Sequence, residues 1–398
     1  MRFEAFFDVR PGELNRFIET WADRTPSDER VKIVLPPHIS AEPVNGIAGF
    51  VVFESEDFEA IREYLTKYEL AGAKVKLMPI WEDSALAKEL INFKEGKEKA
   101  ELDWQKSVFK KISDLGSTKS LEILPLIDWH KSREDLKVEP GVSYLIRTDE
   151  KVILFDVGLN AQQSNPSPLL HNMNVLGISI DDFDTIVISH NHSDHVGGGK
   201  WAKEKTFSLN ANQIDLGLKK VYTPIPMTYP RLHPIHTENP TIISKGVATI
   251  GAIPNYLFQT VESMGYLLEQ ALAVNVDGKG IVLIIGCGHQ TLPKIVERTE
   301  VLFEEPIYGL IGGLHYAARG GPINLTGMYV HEYFGTGKLP WHPITIEEMQ
   351  ENIKLIKQRN PKVVGLSPHD SSETGIAAFR TAFPKEYREI KVGQSITI

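Results

Sequence analysis

Apolar positions over the first eighty residues alternate between strand-length runs and helical spacing. Phe3 to Val9 is an apolar strand candidate, and Pro11 then suits the first position of a helix on which Leu14, Phe17, Ile18 and Trp21 recur. Two further apolar runs, Val31 to Leu35 and Ile47 to Phe53, follow with prolines and glycine between them. Ser55 can cap a second helix whose Phe58, Ile61, Leu65 and Tyr68 share a face, and Gly72 can end it. The run Lys74 to Ile80 completes a β-α-β-β-α-β order. This stretch offers no acid pair, metal cluster or phosphate loop, so its pattern predicts a packing or dimerisation module.

Beyond it the texture changes twice. Residues 83–119 interleave Lys and Glu, as in FKEGKEKAELDWQK, and predict helices with a solvated face and a break near Gly96. From Leu121 onward short β-rich runs alternate with helical segments, the texture of a layered α/β domain. Val142 to Ile146, Val152 to Phe155, Thr185 to Ser189, Val282 to Ile285 and Val363 to Leu366 are its strand candidates. Thr345 and Glu348 form a capping box for a helix carrying Met349, Ile353 and Ile356, stopped by Pro361. The expected division is 1–82, a ferredoxin-like α+β domain; 83–119, a helical linker; and 120–398, the α/β domain.

Composition narrows the function. The apolar runs, such as Ile281 to Ile285, are strand-length and far too short for a membrane span. The start, MRFEAFFDVR, has no basic region leading into an apolar core, so no signal peptide is expected. One cysteine, Cys287, excludes an intrachain disulfide framework and fits a reducing, cytoplasmic setting. A net charge of −9 argues against nucleic acid and leaves a small-molecule substrate as the expected partner.

Chemistry concentrates in ISHNHSDHVGG, residues 188 to 198. An apolar strand ends there, where α/β sheets tend to place ligand sites. In an extended chain His190 and His192 point to the same side, and Asp194 and His195 follow as it turns. Three imidazoles and a carboxylate suit zinc or another first-row divalent metal, not calcium or magnesium. Gly197 to Gly199 permit close backbone packing beside the cluster.

These residues match the HxHxDH signature of the metallo-β-lactamase superfamily, which the chain resembles over about residues 120 to 398. SYLIRTDEKVILFDVGLN resembles the family's early hairpin, with Asp156 and Gly158 beneath the metal site. Later segments resemble the dihydropterin-type (ribofuranosylaminobenzene 5'-phosphate) synthase and hydrolase branch. They are Gly286-Cys287-Gly288-His289, the turn Ile311 to His315, and the terminal His369 after a strand. The resemblance implies a four-layer αββα sandwich holding two divalent transition-metal ions, zinc first, with iron or manganese as alternatives. His190, His192 and His289 would hold one ion, with Cys287 a rival to His289, and Asp194, His195 and His369 the other. Asp194 and His315 carry the catalytic expectation, Asp194 by ligating metal and orienting hydroxide, His315 as a pocket residue. His233 and His236 match no motif and are assigned to a loop.

The sequence departs from the branch at Ser193, where tyrosine is common, and in GCGHQT, which lacks a glycine soon after the histidine. Asp370, Ser371 and Ser372 stand where the branch prefers cysteine-threonine-glycine, and this segment is expected to shape the substrate pocket. The Gly- and aromatic-rich stretch 317–343 could form a lid. The expected function is hydrolysis of an ester, lactone or phosphoester by a hydroxide between the two metals. A dihydropterin-type synthase and a non-catalytic metal-binding interaction protein are the alternatives. The first domain is expected to pair two copies into a homodimer.

Overall fold

A computed structural model describes residues 1–22, 29–42, 46–258, 265–325 and 328–398. The chain divides into two compact units, one of Met1–Asn92 with Ile323–Val330, the other of Phe93–Pro322 with His331–Ile398. No helix among the described residues is long and apolar enough to cross a membrane.

In the first unit the elements are β1 (Arg2–Val9), α1 (Leu14–Ala22), β2 (Lys32–Glu42), β3 (Gly46–Glu54), α2 (Phe58–Leu70) and β4 (Lys74–Ile80). The strands form one antiparallel sheet in the order β2-β3-β1-β4. Phe3, Ala5, Phe7 and Val9 of β1 are buried, and the helices cover that face, with Phe7 against Phe17 and Phe53 against Tyr64. Each buried phenylalanine or valine there contributes roughly 1.5–3 kcal/mol. Ile18, expected on the inner face of α1, is 56% exposed, and the Trp21 side chain lies outside the described residues. The cap of α2 is Asp57, whose carboxylate accepts from Glu59 N and Ala60 N; Ser55 supports it by accepting from Asp57 N. Gly72 takes the left-handed conformation (φ 94°) that ends the helix.

Helix α3 (Asp83–Lys106) runs unbroken through Gly96. A Cβ at Gly96 would lie 2.0 Å from the Tyr256 ring, so the glycine serves close packing and not a break. Residues 93–119 belong to the second unit and are not a free linker. Trp104, Phe109 and Ile112 pack on its core, and the buried Arg298 lies over the Trp104 and Phe109 rings.

The second unit continues through β5 (Leu121–Ile127), β6 (Ser143–Thr148), β7 (Val152–Phe155), α4 (Pro168–Val175), β8 (Thr185–Val187), α5 (Ser193–Val196) and α6 (Gly199–Lys203). Next come β9 (Lys220–Thr223), β10 (Ile235–His236), β11 (Thr241–Ser244), β12 (Val247–Thr249), β13 (Ile253–Tyr256), β14 (Tyr266–Glu269), β15 (Leu272–Val276), β16 (Gly280–Ile285) and α7 (Leu292–Leu302). After β17 (Ile307–Gly312), the short β18 (Asn324–Leu325) and β19 (Met328–Tyr329) pair in the first unit. The chain closes with α8 (Val330–Tyr333), α9 (Ile346–Lys357), β20 (Val363–Leu366), α10 (Glu373–Ala382) and β21 (Ile396–Thr397).

Two sheets, β10-β9-β8-β7-β6-β5-β21 and β11-β12-β15-β16-β17-β20, carry this unit. Tyr144, Ile146, Phe155, Val282 and Ile284 fill the space between them. The alternate residues Leu145, Leu154 and Ile186 meet Leu169, Met173 and Trp201 from the helical side of the first sheet. Ile281, Leu283 and Ile285 meet Ile295, Ile353 and Phe379 from α7, α9 and α10 beside the second. Both faces of the inner strands are therefore buried, which explains their continuous apolar runs. The layer order is αββα, as the resemblance implies. The capping box of Thr345 and Glu348 is present at α9.

Candidate metal centre

The site forms where β8, β16, β17 and β20 end. Parallel pairing of β16, β17 and β20 brings the segments after Ile285, Gly312 and Leu366 side by side. His192 precedes α5 and His195 lies within it. That turn needs glycine at 197, because φ is 89° and a Cβ would meet Ser208 O at 2.1 Å; Gly199 has no such neighbour. The imidazoles of His190, His192, His195 and His289 lie together, with ring centroids 4.2 to 5.0 Å apart along the contacting pairs. His369 stands 5.5 Å from His195 and His315 stands 5.1 Å from His289.

The outer nitrogens of His190, His195, His289 and His369 are anchored. Asp156 Oδ2 lies 2.7 Å from both Ser189 Oγ and His195 Nδ1. A carboxylate only accepts, so both groups donate to it, and Ser189, with its single hydrogen spent, accepts from His190 Nδ1–H at 2.9 Å. On the other side Tyr144 and Ser367 donate to Asp128 Oδ2 at 2.7 Å each, and Ser367 accepts from His369 Nδ1–H at 2.6 Å. His289 donates Nδ1–H to Gly335 O at 2.7 Å. His190, His289 and His369 therefore turn an Nε2 lone pair inward, as anchored metal ligands do. Burial works to lower His195, but Cys287, Asp194 and Asp156 around it prevail and raise it well above the usual imidazole range, so that a bound ion would have to displace its Nε2 proton.

The inward atoms show what they await. Nε2 of His190, His192 and His289 is buried with no hydrogen-bond partner. Leaving such an atom unsatisfied costs ~1–3 kcal/mol, and three converging lone pairs are a poor arrangement for anything but a cation. Asp194, His195, Cys287 and His369 form a second set with ligand atoms within 4.8 Å of one another, and His190, Cys287 and His289 form a first. Cys287 Sγ is shared by both, 3.0 Å from His195 Nε2 and 3.2 Å from His369 Nε2.

Burial holds His190, His289 and His369 well below the usual imidazole range, and pushes His192 down to about 4. The rings are thus neutral at pH 7, the form that binds metal. Burial works to raise Asp194, but His195 beside it prevails and keeps the carboxylate low and ionised. Burial pushes the Cys287 thiol up, and a bound ion would reverse this by taking the thiolate. The donor set fits a divalent transition metal.

Five of the six expected ligands fall in these two sets, and His192 lies beside them with its ring 4.5 Å from that of His190 and 4.8 Å from that of His289. His315 is near, while His233 and His236 are in neither set, His233 half-buried and His236 exposed. Sequence reading missed Ser189, Ser367, Asp128, Tyr144, Glu269 and His331. A serine just before a histidine, in Ser189-His190 and Ser367-Pro368-His369, was the available signal. Glu269 accepts from Cys287 N, Gly288 N and His289 N at 3.0, 2.9 and 2.7 Å, fixing the turn that carries the sulfur. Asp370 and Ser371 brace the turn after β17, where Asp370 Oδ2 accepts from His315 N at 3.0 Å and Ser371 Oγ from Tyr316 N at 3.2 Å. Ser372 caps α10. The stretch 317–343 supplies the carbonyls of Phe334 and Gly335 that anchor His315 and His289.

Residues 136–208, which contain the HxHxDH run, match the metallo-beta-lactamase superfamily. The chain therefore carries a metallo-beta-lactamase superfamily domain, and that superfamily implies divalent metal binding. Among curated proteins it is similar to 7,8-dihydropterin-6-methyl-4-(beta-D-ribofuranosyl)-aminobenzene-5'-phosphate synthase of Methanocaldococcus jannaschii, 25% identical over 247 residues, 51% of this chain and 80% of that protein. An uncharacterized protein of the same organism is 29% identical over 195 residues, 44% of this chain and 72% of that one. Similar solved structures include a metal-dependent hydrolase of the beta-lactamase superfamily, with 18% identity, TM-score 0.45 and coverage of 69% of this chain and 98% of that one. The short form of human tRNase Z is another, with 13% identity, TM-score 0.39 and coverage of 69% and 98%.

Proposed function

We propose that the second unit is a binuclear metal-dependent hydrolase acting on an ester, lactone or phosphoester of a small molecule. The observation that carries this is the pair of inward, unpartnered Nε2 atoms on His190 and His289, whose outer nitrogens are already bonded, with the unpartnered Nε2 of His192 beside them. His190, His192 and His289 would hold one ion, Asp194, His195 and His369 the other, with Cys287 within reach of both. Zinc suits this nitrogen, oxygen and sulfur set first, iron or manganese next. When bound, two such ions acidify water, from a pKa of 15.7 towards ~7, and stabilise developing oxyanion charge. Asp194, ionised and only partly buried, orients the attacking water from the open side. The Asp156 and Asp128 chains hold the ligand rings still through the reaction. Metal analysis of untreated protein, joined to a panel of phosphodiester, lactone and thioester substrates, tests the reading. Asp194→Asn should lower kcat by ~100-fold or more while the fold persists; unchanged kcat with metal retained would identify the wrong carboxylate.

One observation favours a second reading. The similar M. jannaschii protein is a synthase, and the same metal centre could stabilise an anionic intermediate of synthesis. Product analysis with pterin and phosphoribosyl substrates separates the two.

The first unit we read as a ferredoxin-like domain that pairs with a second copy of this chain. Phe6, 37% exposed, meets Phe50 on the sheet face opposite the helices. Glu4 and Asp8 of β1 flank it, while Lys74 and Lys76 stand opposite Asp8 and Phe6 on the neighbouring β4. An apolar centre with acids on one strand and lysines on the next is complementary to itself under a two-fold rotation.

A further inference from the structure

A third group of donors meets at the same sulfur. Ligand atoms of Cys287, His315 and Asp370, all buried, lie within 4.8 Å of one another. His315 donates Nε2–H to Phe334 O at 2.8 Å, which leaves the lone pair on Nδ1. That Nδ1 is buried with no partner on a side chain only 7% exposed. Its backbone sits at φ 52°, a conformation costly for a histidine and kept only where the surroundings impose it. Asp370 imposes it by accepting from His315 N, and Ser371 Oγ donates to Asp370 Oδ1 at 2.8 Å. Gly313 makes room for that carboxylate, since a Cβ there would stand 2.4 Å from Asp370 Oδ2. Each carboxylate oxygen keeps a further lone pair.

We infer that Cys287, His315 and Asp370 bind a third divalent transition-metal ion, next to the pair proposed above, on whose reading this site partly rests. One nitrogen, one oxygen and one sulfur select zinc or a neighbouring first-row metal over magnesium or calcium. Three protein ligands with a free fourth position is the pattern of a reactive site and not of a structural one. His331 stands beside it, its ring 5.5 Å from that of His315 and its Nδ1 likewise buried without a partner. The departure from cysteine-threonine-glycine after His369 then has a chemical meaning, because it places a carboxylate where this third set needs one.

The test counts metal. Chelator-stripped full-length protein is dialysed to equilibrium against zinc, and bound ions are measured for wild type, Asp370→Asn, His315→Ala and His190→Ala. Asp370→Asn keeps an acceptor for His315 N–H, so its fold should survive, and circular dichroism of the stripped proteins checks each variant. Wild type should bind close to three equivalents, and Asp370→Asn and His315→Ala close to two. Cobalt-loaded protein gives a second readout, with thiolate-to-cobalt absorption weakened in both variants and at a different wavelength from the loss in His190→Ala. Saturation of wild type at two equivalents, or three equivalents kept by both variants, overturns the third site and leaves the pair standing. A wild type that binds no metal overturns the pair as well.

Discussion

At the scale of single residues, two serines orient histidines of the proposed metal centre. Ser189 and Ser367 each stand between a buried carboxylate and a ligand ring, and each has one hydrogen to give. Because that hydrogen goes to the carboxylate, the histidine must carry its proton on Nδ1 and its lone pair on Nε2. Ser367→Ala removes the acceptor for His369 Nδ1–H and leaves Asp128 short of a donor. It should weaken zinc binding by ~10–100-fold, as loss of an outer partner of a metal ligand usually does. Competition against a chromophoric chelator measures this, and an affinity equal to wild type would show that His369 needs no such anchor. The HxHxDH run was legible because its spacing is local. Asp128 was not, since 239 residues separate it from Ser367 and only the fold makes them neighbours.

Among the elements, α3 and α9 show opposite relations between sequence and structure. The capping box of α9 depends on Thr345 and Glu348 alone, three residues apart, so it could be read directly. Thr345→Ala should lower stability by ~1 kcal/mol, seen as a lower urea midpoint with an unchanged slope; no shift would mean that packing alone holds this helix. Helix α3 misled, because Gly96 signals a break locally but sits against Tyr256, a residue 160 positions away. The next residue, Lys97, donates to Asn255 Oδ1 at 2.7 Å and is pushed down to about 8, chiefly by burial, with Lys294 adding to it. The unfolded chain holds this proton to about 10.5. Between those values the unfolded state binds more protons, so stability should rise as pH increases from 8 towards 10. Lys97→Met should therefore raise the thermal midpoint at pH 7 and flatten its rise over that window. A lower midpoint with the slope intact would show that the hydrogen bond to Asn255 outweighs the cost of burying the charge.

For the whole molecule the open matter is assembly. The self-complementary sheet face of the first unit predicts a dimer, so light scattering of the full chain should give twice the monomer mass. Phe6→Asp, which adds a charge to the apolar centre next to Glu4 and Asp8, should return it to monomer at low micromolar concentration. A monomeric wild type would reject the pairing. The domain division was only partly legible: the change of texture near residue 83 is local, but the first unit also takes in residues 323–330. Nothing in their composition marks that excursion, because membership of a unit is a matter of contacts across some 240 positions of chain.

Local patterns were enough for the strand cores, the capping box of α9 and the HxHxDH run, since period, spacing and turn chemistry act over a few residues and need no partner. The layer order was implied by the family resemblance, and strands buried on both faces agree with it. The shared position of Cys287, the brace that Asp370 places under His315, and the proton on each ligand ring came only with the folded chain. Those features depend on which side chains meet at the parallel ends of β16, β17 and β20, and that meeting is made by pairings between residues 26 to 54 positions apart. A hydrogen bond is decided by distance and direction in space, and neither is written in the order of the residues.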